Sequence, residues 1–116
     1  MANHDLDLPS PDQDESGPYA LVGSARAKPG RADTLEARLV SLVGLTGHES
    51  GALAYHVHRD RINRELFVFY EAWSGIEALR AHLKQPYIQA FLAERQNYLV
   101  GDLDIRWLRM SSPYPG

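Results

Sequence analysis

Between Leu66 and Trp73 the chain reads Leu-Phe-Val-Phe-Tyr-Glu-Ala-Trp, apolar on both of its alternating sides. Successive side chains of a strand point to opposite faces, so Leu66, Val68 and Tyr70 share one face while Phe67, Phe69 and Trp73 share the other. Such a strand needs cover on both faces. The 116 residues allow one domain and one hydrophobic core. The two covers must therefore come from few elements.

The flanking periodicities predict what those elements are. Tyr19 to Lys28, with Leu21, Val22, Ala25 and Ala27, suits a strand stopped by Pro29-Gly30. Leu35, Leu39, Leu42 and Val43 then recur at helical spacing, with Asp33 in the first turn and Gly47 as a stop. Leu53 to Arg59 alternates, Asp60 and Asn63 make a turn, and Glu65 to Trp73 returns as the second arm of a hairpin. Ser74 and Glu77 have capping-box spacing, which predicts a helix burying Ile76, Leu79 and Leu83. Pro86 at a first helical position restarts the chain as a further helix, with Tyr87, Ile88, Phe91 and Leu92 on one side. After Gly101, Leu103, Ile105 and Trp107 alternate as a last strand.

The order β-α-β-β-α-β is α+β and ferredoxin-like, a four-stranded antiparallel sheet with helices on one face. Right-handed crossovers place both helical segments on that same face. The doubly apolar strand must find its second cover elsewhere, which predicts a two-fold homodimer with sheets packed face to face.

Composition removes several alternatives. With no cysteine, the chain can form neither disulfides nor thiolate metal sites. The segment 1–18 holds Asp5, Asp7, Asp12, Asp14 and Glu15 without Lys or Arg, and reads as a solvated, disordered acidic tail rather than a targeting signal. The formal net charge is −3, so the remainder is close to neutral and points to neither nucleic acid nor a membrane surface. No apolar run reaches the roughly 20 residues of a membrane helix. The expected address is cytoplasmic. The domain reads as residues 19–110, with an extended tail at 111–116. Gly-rich phosphate loops and serine-nucleophile motifs are also absent.

Chemistry-bearing residues concentrate in Phe69-Tyr70-Glu71-Ala72-Trp73 and in His82-Leu83-Lys84-Gln85-Pro86-Tyr87. Together with Lys28-Pro29-Gly30 and the segment Tyr55 to Asp60 ending in His-Arg-Asp, these stretches give the chain its resemblance to the antibiotic biosynthesis monooxygenase family, the dimeric α+β barrel proteins that include quinol monooxygenases. The resemblance covers about Tyr19 to Met110. It implies oxygenation of a small phenolic or quinol-type substrate by O2 with no cofactor, the deprotonated substrate itself reducing oxygen. Such chemistry needs a base, donors for an oxyanion and a water-poor aromatic wall.

On that reading His82 is the base, Trp73 and Tyr87 are donors and wall, and Glu71 orients His82. Tyr70, Phe91 and His58 shape the substrate pocket. Many relatives carry a second His where Tyr87 stands, and a phenol with a pKa near 10 is a poorer base at neutral pH. Each assignment has a structural counterpart: Trp73 also suits a core anchor, His82 a rim position satisfied by a backbone carbonyl, and Glu71 a structural acceptor.

His56 and His58 send both rings to one strand face, but a metal site needs a third or fourth ligand, so no metal is expected and the pair reads as a polar interface strip. In haem-degrading relatives a proximal His and an Asn are required where this chain has Leu92 and Gly23. Two other functions remain open. One is a cofactor-free isomerase or lyase of a small phosphorylated signalling metabolite, using Arg26, Lys28, Arg59 or Arg106. The other is a ligand-binding dimer without catalysis, which a cavity too tight for a ring would favour.

Overall fold

The computed structural model describes residues 6–112. Its elements are β1 (Tyr19–Arg26), α1 (Ala32–Thr46), β2 (Ala52–Arg59), β3 (Leu66–Trp73), α2 (Ile76–Leu83), α3 (Pro86–Glu94), a short 3-10 turn and β4 (Asp104–Arg109). The sheet order is β2-β3-β1-β4, with every neighbouring pair antiparallel. This is the ferredoxin-like α+β fold, and α1 and α2 pack on the strands from one side. Among the described residues no helix is long and apolar enough to cross a membrane.

Local chemistry accounts for most boundaries. Gly30, at φ 78°, turns the chain in a conformation that side-chain-bearing residues rarely adopt. From there α1 buries Leu35, Leu39, Leu42 and Thr46, a stripe at helical spacing. The hairpin turn is fixed by the Asp60 carboxylate, which accepts the backbone N–H groups of Ile62 and Asn63 at 3.0 and 2.6 Å.

The capping box does not form. Gly75 in extended conformation is the N-cap of α2, one residue later than Ser74 would require, and no side chain caps the helix. Ser74 is still tied to the sheet end through its N–H on the Gly51 carbonyl (2.8 Å), while Glu77 pairs with Arg80. The helix therefore buries Leu79 and His82, with Ile76 and Leu83 only partly covered.

Register decides what faces the helices. Across the sheet Tyr19 pairs with Trp73, Leu21 with Glu71 and Gly23 with Phe69; on β2, Tyr55 sits opposite Glu71 and Val57 opposite Phe69. Glu71 is thus an acid set in an apolar row. A Cβ on Gly23 would lie 2.3 Å from the Phe69 ring, so the ring lies flat over a position that only glycine can fill.

The opposite face carries two rows that cross the sheet: His56, Tyr70, Val22 and Arg106, and then His58, Val68, Ser24 and Asp104. No described helix packs there.

Residues 6–18 contain no helix or strand, yet they are joined to the body rather than loose in solvent. Tyr19 donates its hydroxyl to the Pro9 carbonyl at 2.6 Å, Arg109 pairs with Asp12 and Asp14, and Leu8 packs against the cluster of Tyr19, Leu21 and Trp73. Residues 1–5 of the acidic tail, and Tyr114 and Pro115 of the carboxyl-terminal tail, lie outside the described residues.

Candidate active site

Two core clusters meet beneath the helices, one around Phe67, Leu35 and Phe91 and the other around Trp73, Leu79 and Tyr19. Between them lies a cavity with about 50 Å³ of free space, walled mainly by apolar side chains such as Leu21, Leu39, Phe69, Phe91 and Trp107. Glu71 and His82 open onto it. Leu6 and Leu83 separate it from a neighbouring cleft of about 220 Å³ that also touches Leu8, Arg80 and Lys84.

His82 enters from α2, three residues after Leu79 on the same helix face, and is only 2% exposed. Its ring rests against Trp73, with centroids 4.5 Å apart, and against Tyr55 at 5.4 Å. Nδ1 lies 2.9 Å from Oε2 of Glu49, and Nε2 lies 3.9 Å from Oε1 of Glu71. The second distance is too long for a direct hydrogen bond and leaves room for a hydroxyl to approach both groups.

Glu71 in turn accepts the indole N–H of Trp73 at 3.1 Å, and the Tyr87 hydroxyl donates to Glu49 in a very short contact. Two hydrogen-bonded sets, Trp73–Glu71 and His82–Glu49–Tyr87, therefore face each other across the 3.9 Å between Glu71 and His82 at the cavity wall.

Burial governs the electrostatics. It pushes the Glu71 carboxyl up to about 7, partly opposed by the Trp73 N–H and reinforced by the negative charge of Glu49. Burial also lowers the His82 pKa, opposed by its hydrogen bond to Glu49 and that group's charge. His82 is therefore neutral at pH 7. Burial and the bond to Glu49 raise the Tyr87 phenol to about 12, and burial holds Tyr55 protonated as well. Neither phenol serves as a base near neutrality.

The residues singled out in the sequence divide into three groups. His82, Glu71 and Phe91 reach the cavity. Trp73 and Tyr87 stand behind it with their hydrogens committed to Glu71 and Glu49, so neither is aimed as a donor at a bound oxyanion. Tyr70 and His58 lie on the far face of the sheet, because both alternate out of phase with Glu71 and Tyr55. His58 there meets the Val68 carbonyl at 3.3 Å. No group of three His, Asp or Glu residues suited to holding a metal occurs among the described residues.

Glu49 was not legible as a site residue. It sits in the Gly47–Gly51 turn, which carries no periodicity, and it reaches His82 only because the chain passes close to α2 at Gly51. A Cβ at Gly51 would come within 2.7 Å of Ala78 and Ser74, and its φ is 89°.

Comparison with known proteins agrees with this architecture. The Synechocystis protein sll1783 is 26% identical over 104 residues, spanning 85% of this chain and 71% of that protein. The crystal structure of PA3566 from Pseudomonas aeruginosa superposes with a TM-score of 0.78 at 31% identity, covering 84% of this chain and 97% of that one. Rv0793 from Mycobacterium tuberculosis, at 19% identity, shares the fold with a TM-score of 0.79 over 84% of this chain and 99% of its own. The family model described as antibiotic biosynthesis monooxygenase matches residues 18–94, which carry β1 through α3 and every cavity-facing acid and base described above, and on this ground the chain belongs to that family.

Proposed function

We propose that this chain is a cofactor-independent monooxygenase that oxidises a small phenolic or quinol-type aromatic with O2 in the cavity between sheet and helices. The observation that supports it most directly is the placement of two titratable groups in an otherwise apolar wall: Glu71, pushed up to about 7 by burial, and His82, pushed down by burial so that its imidazole is neutral. The substrate hydroxyl gives its proton to Nε2 of His82. Ionised Glu71 stabilises the imidazolium that results. The phenolate, shielded from water, supplies all four electrons to O2: one oxygen atom replaces hydrogen at a ring carbon as the ring is oxidised to the quinone, and the other leaves as water with the two hydrogens that the substrate gives up.

The free space is smaller than the roughly 150 Å³ that admits benzene. Displacing Leu6 joins the cavity to the cleft beside it, and the two together pass that threshold. Substrate entry therefore requires the amino-terminal segment to lift. Among the described residues no cation lines the inner cavity beside Glu71 and His82: Arg59 is paired with Asp33 and Glu36, and Arg106 lies on the far face. A phosphorylated metabolite is therefore disfavoured there and would have to rest in the outer cleft beside Arg80 and Lys84. The tight cavity supports binding without catalysis as the competing reading.

Oxygen uptake with a panel of quinols separates the two. His82→Ala is expected to lower turnover by roughly 10²-fold or more while far-UV circular dichroism stays unchanged; equal turnover would remove His82 from the mechanism.

The same reading includes a homodimer. Val22, Val68 and Tyr70 make the outer sheet face partly apolar, and a second copy stacked on it completes the cover that β3 requires. Light scattering at low micromolar concentration is expected to give twice the chain mass, and a clean monomer would refute the stacking.

A further inference from the structure

Glu49 lies outside every motif that carries the family resemblance, yet it makes the closest polar contact to the His82 ring. We propose that Glu49 is the positioning residue of this site: it holds the hydrogen of His82 on Nδ1, so that the Nε2 lone pair faces Glu71 and the cavity. The inference rests on the oxygenation proposed above for its catalytic meaning, but its structural content can be tested without any substrate.

The argument begins with donor counting. A carboxylate accepts hydrogen bonds and donates none, so the ring nitrogen at 2.9 Å from Glu49 must carry the hydrogen. A neutral imidazole has only one N–H, which leaves Nε2 as the acceptor. Trp73 lies tilted against the ring at 4.5 Å, Tyr55 meets it edge-on at 5.4 Å, and the residue is only 2% exposed, so the packed ring cannot rotate freely to exchange its two nitrogens.

Every titratable group that meets this ring has a fixed part. From β2 comes Tyr55, protonated; from β3 comes Glu71, on the Nε2 side; and from α3 comes Tyr87, which donates to the same Glu49 oxygen and holds that carboxylate in place. The Glu49 side chain keeps about 9% exposure, the same as Glu71, so the two acids that flank the ring are equally screened and differ in their distance from it. A group that orients a base in this way contributes through tautomer and through charge, and those two contributions separate experimentally.

The experiment is two-bond nitrogen–proton correlation NMR of the His82 ring in the unsubstituted protein, in Glu49→Ala and in Glu49→Gln. The expected result is hydrogen on Nδ1 in the unsubstituted protein and a shift of the hydrogen to Nε2 in Glu49→Ala. In Glu49→Gln the amide oxygen still accepts from Nδ1, so the tautomer stays while the lost charge lowers the imidazolium midpoint by about one unit. Turnover of a quinol should fall roughly 10²-fold in Glu49→Ala with KM little changed, and Glu49→Gln should move the acid limb of kcat/KM in step with the NMR midpoint.

A merely structural staple would lower the melting temperature and leave tautomer and midpoint alone. Hydrogen on Nε2 in the unsubstituted protein, or an unmoved midpoint in Glu49→Gln, overturns the proposal even if Glu49→Ala fails to fold. An unsubstituted protein that turns over no quinol, but shows the expected tautomer shift, would instead sink the oxygenation reading and leave the positioning of the ring standing.

Discussion

Glu71→Gln is expected to make the fold more stable at pH 8 by roughly 3 kcal/mol and at the same time to cost at least about 10²-fold in turnover. The carboxyl of Glu71 has a folded-state pKa raised to about 7 from 4.5. A raised value means that its contribution to stability is fully present below pH 4.5 and is lost as pH climbs towards 7, because ionising the buried acid is costly while ionising the unfolded one is not. Gln keeps the acceptor for the Trp73 indole and never ionises. The two proteins should therefore have equal stability near pH 4 and diverge up to about pH 7, with a constant difference above it.

His82 acts with the opposite sign. Its folded value is lowered, so its stabilisation is present above about 6.5 and is lost as pH falls. It is common to both proteins and cancels to first order in the difference. Urea denaturation at a series of pH values provides the check; a gap independent of pH, or none, would show that Glu71 is not held in a desolvating site. The result would also locate the origin of the trade: an acid retained at a cost in stability is retained for chemistry.

Weakening the apolar anchors of the amino-terminal segment should matter more than weakening its charged ones. Leu6 and Leu8 are each half-buried, worth about 1 kcal/mol apiece. The pairs Arg109–Asp12 and Arg109–Asp14 are exposed, so solvent screens them and they contribute little. If the closed segment competes with substrate for the cavity, the double substitution Leu6→Ala with Leu8→Ala raises the open fraction by up to roughly 30-fold and lowers KM to match. Arg109→Ala should change KM far less than the double substitution. A fluorescent naphthol serves as a probe where no substrate is yet in hand. Unaltered affinity in the double variant would mean that entry takes another route.

The element order was legible because each element writes its period into the chain: the alternation through Phe67, Phe69 and Glu71, the helical stripe through Leu35, Leu39 and Leu42, and Pro86 at the start of α3. His82 and Glu71 were singled out through the family resemblance, and the structure places both at the cavity. The alternation further separates Tyr70 from Glu71, so the placement of Tyr70 away from the cavity was already implied by strand parity.

Other features had no local signature. Whether the Trp73 and Tyr87 hydrogens point into the cavity depends on which carboxylates stand behind them, and those are supplied by tertiary approach. Glu49 lies thirty-three residues from His82 in a turn whose composition looks like solvent-facing loop. The Ser74–Glu77 pattern had the right spacing, but the pull of the sheet on Ser74 moved the helix start to the next residue.

Gly51 turns a missing methyl group into a constraint on kinship. The turn from α1 into β2 and the joint between β3 and α2 touch there at backbone range, and the acid beneath the imidazole depends on that closeness. Homologues that lengthen or bulk up this joint would keep the sheet, the helices and the hollow between them while severing the acid from the ring. Within such a lineage, the length of one small bend becomes a readable mark of which members retain the acid-to-imidazole contact.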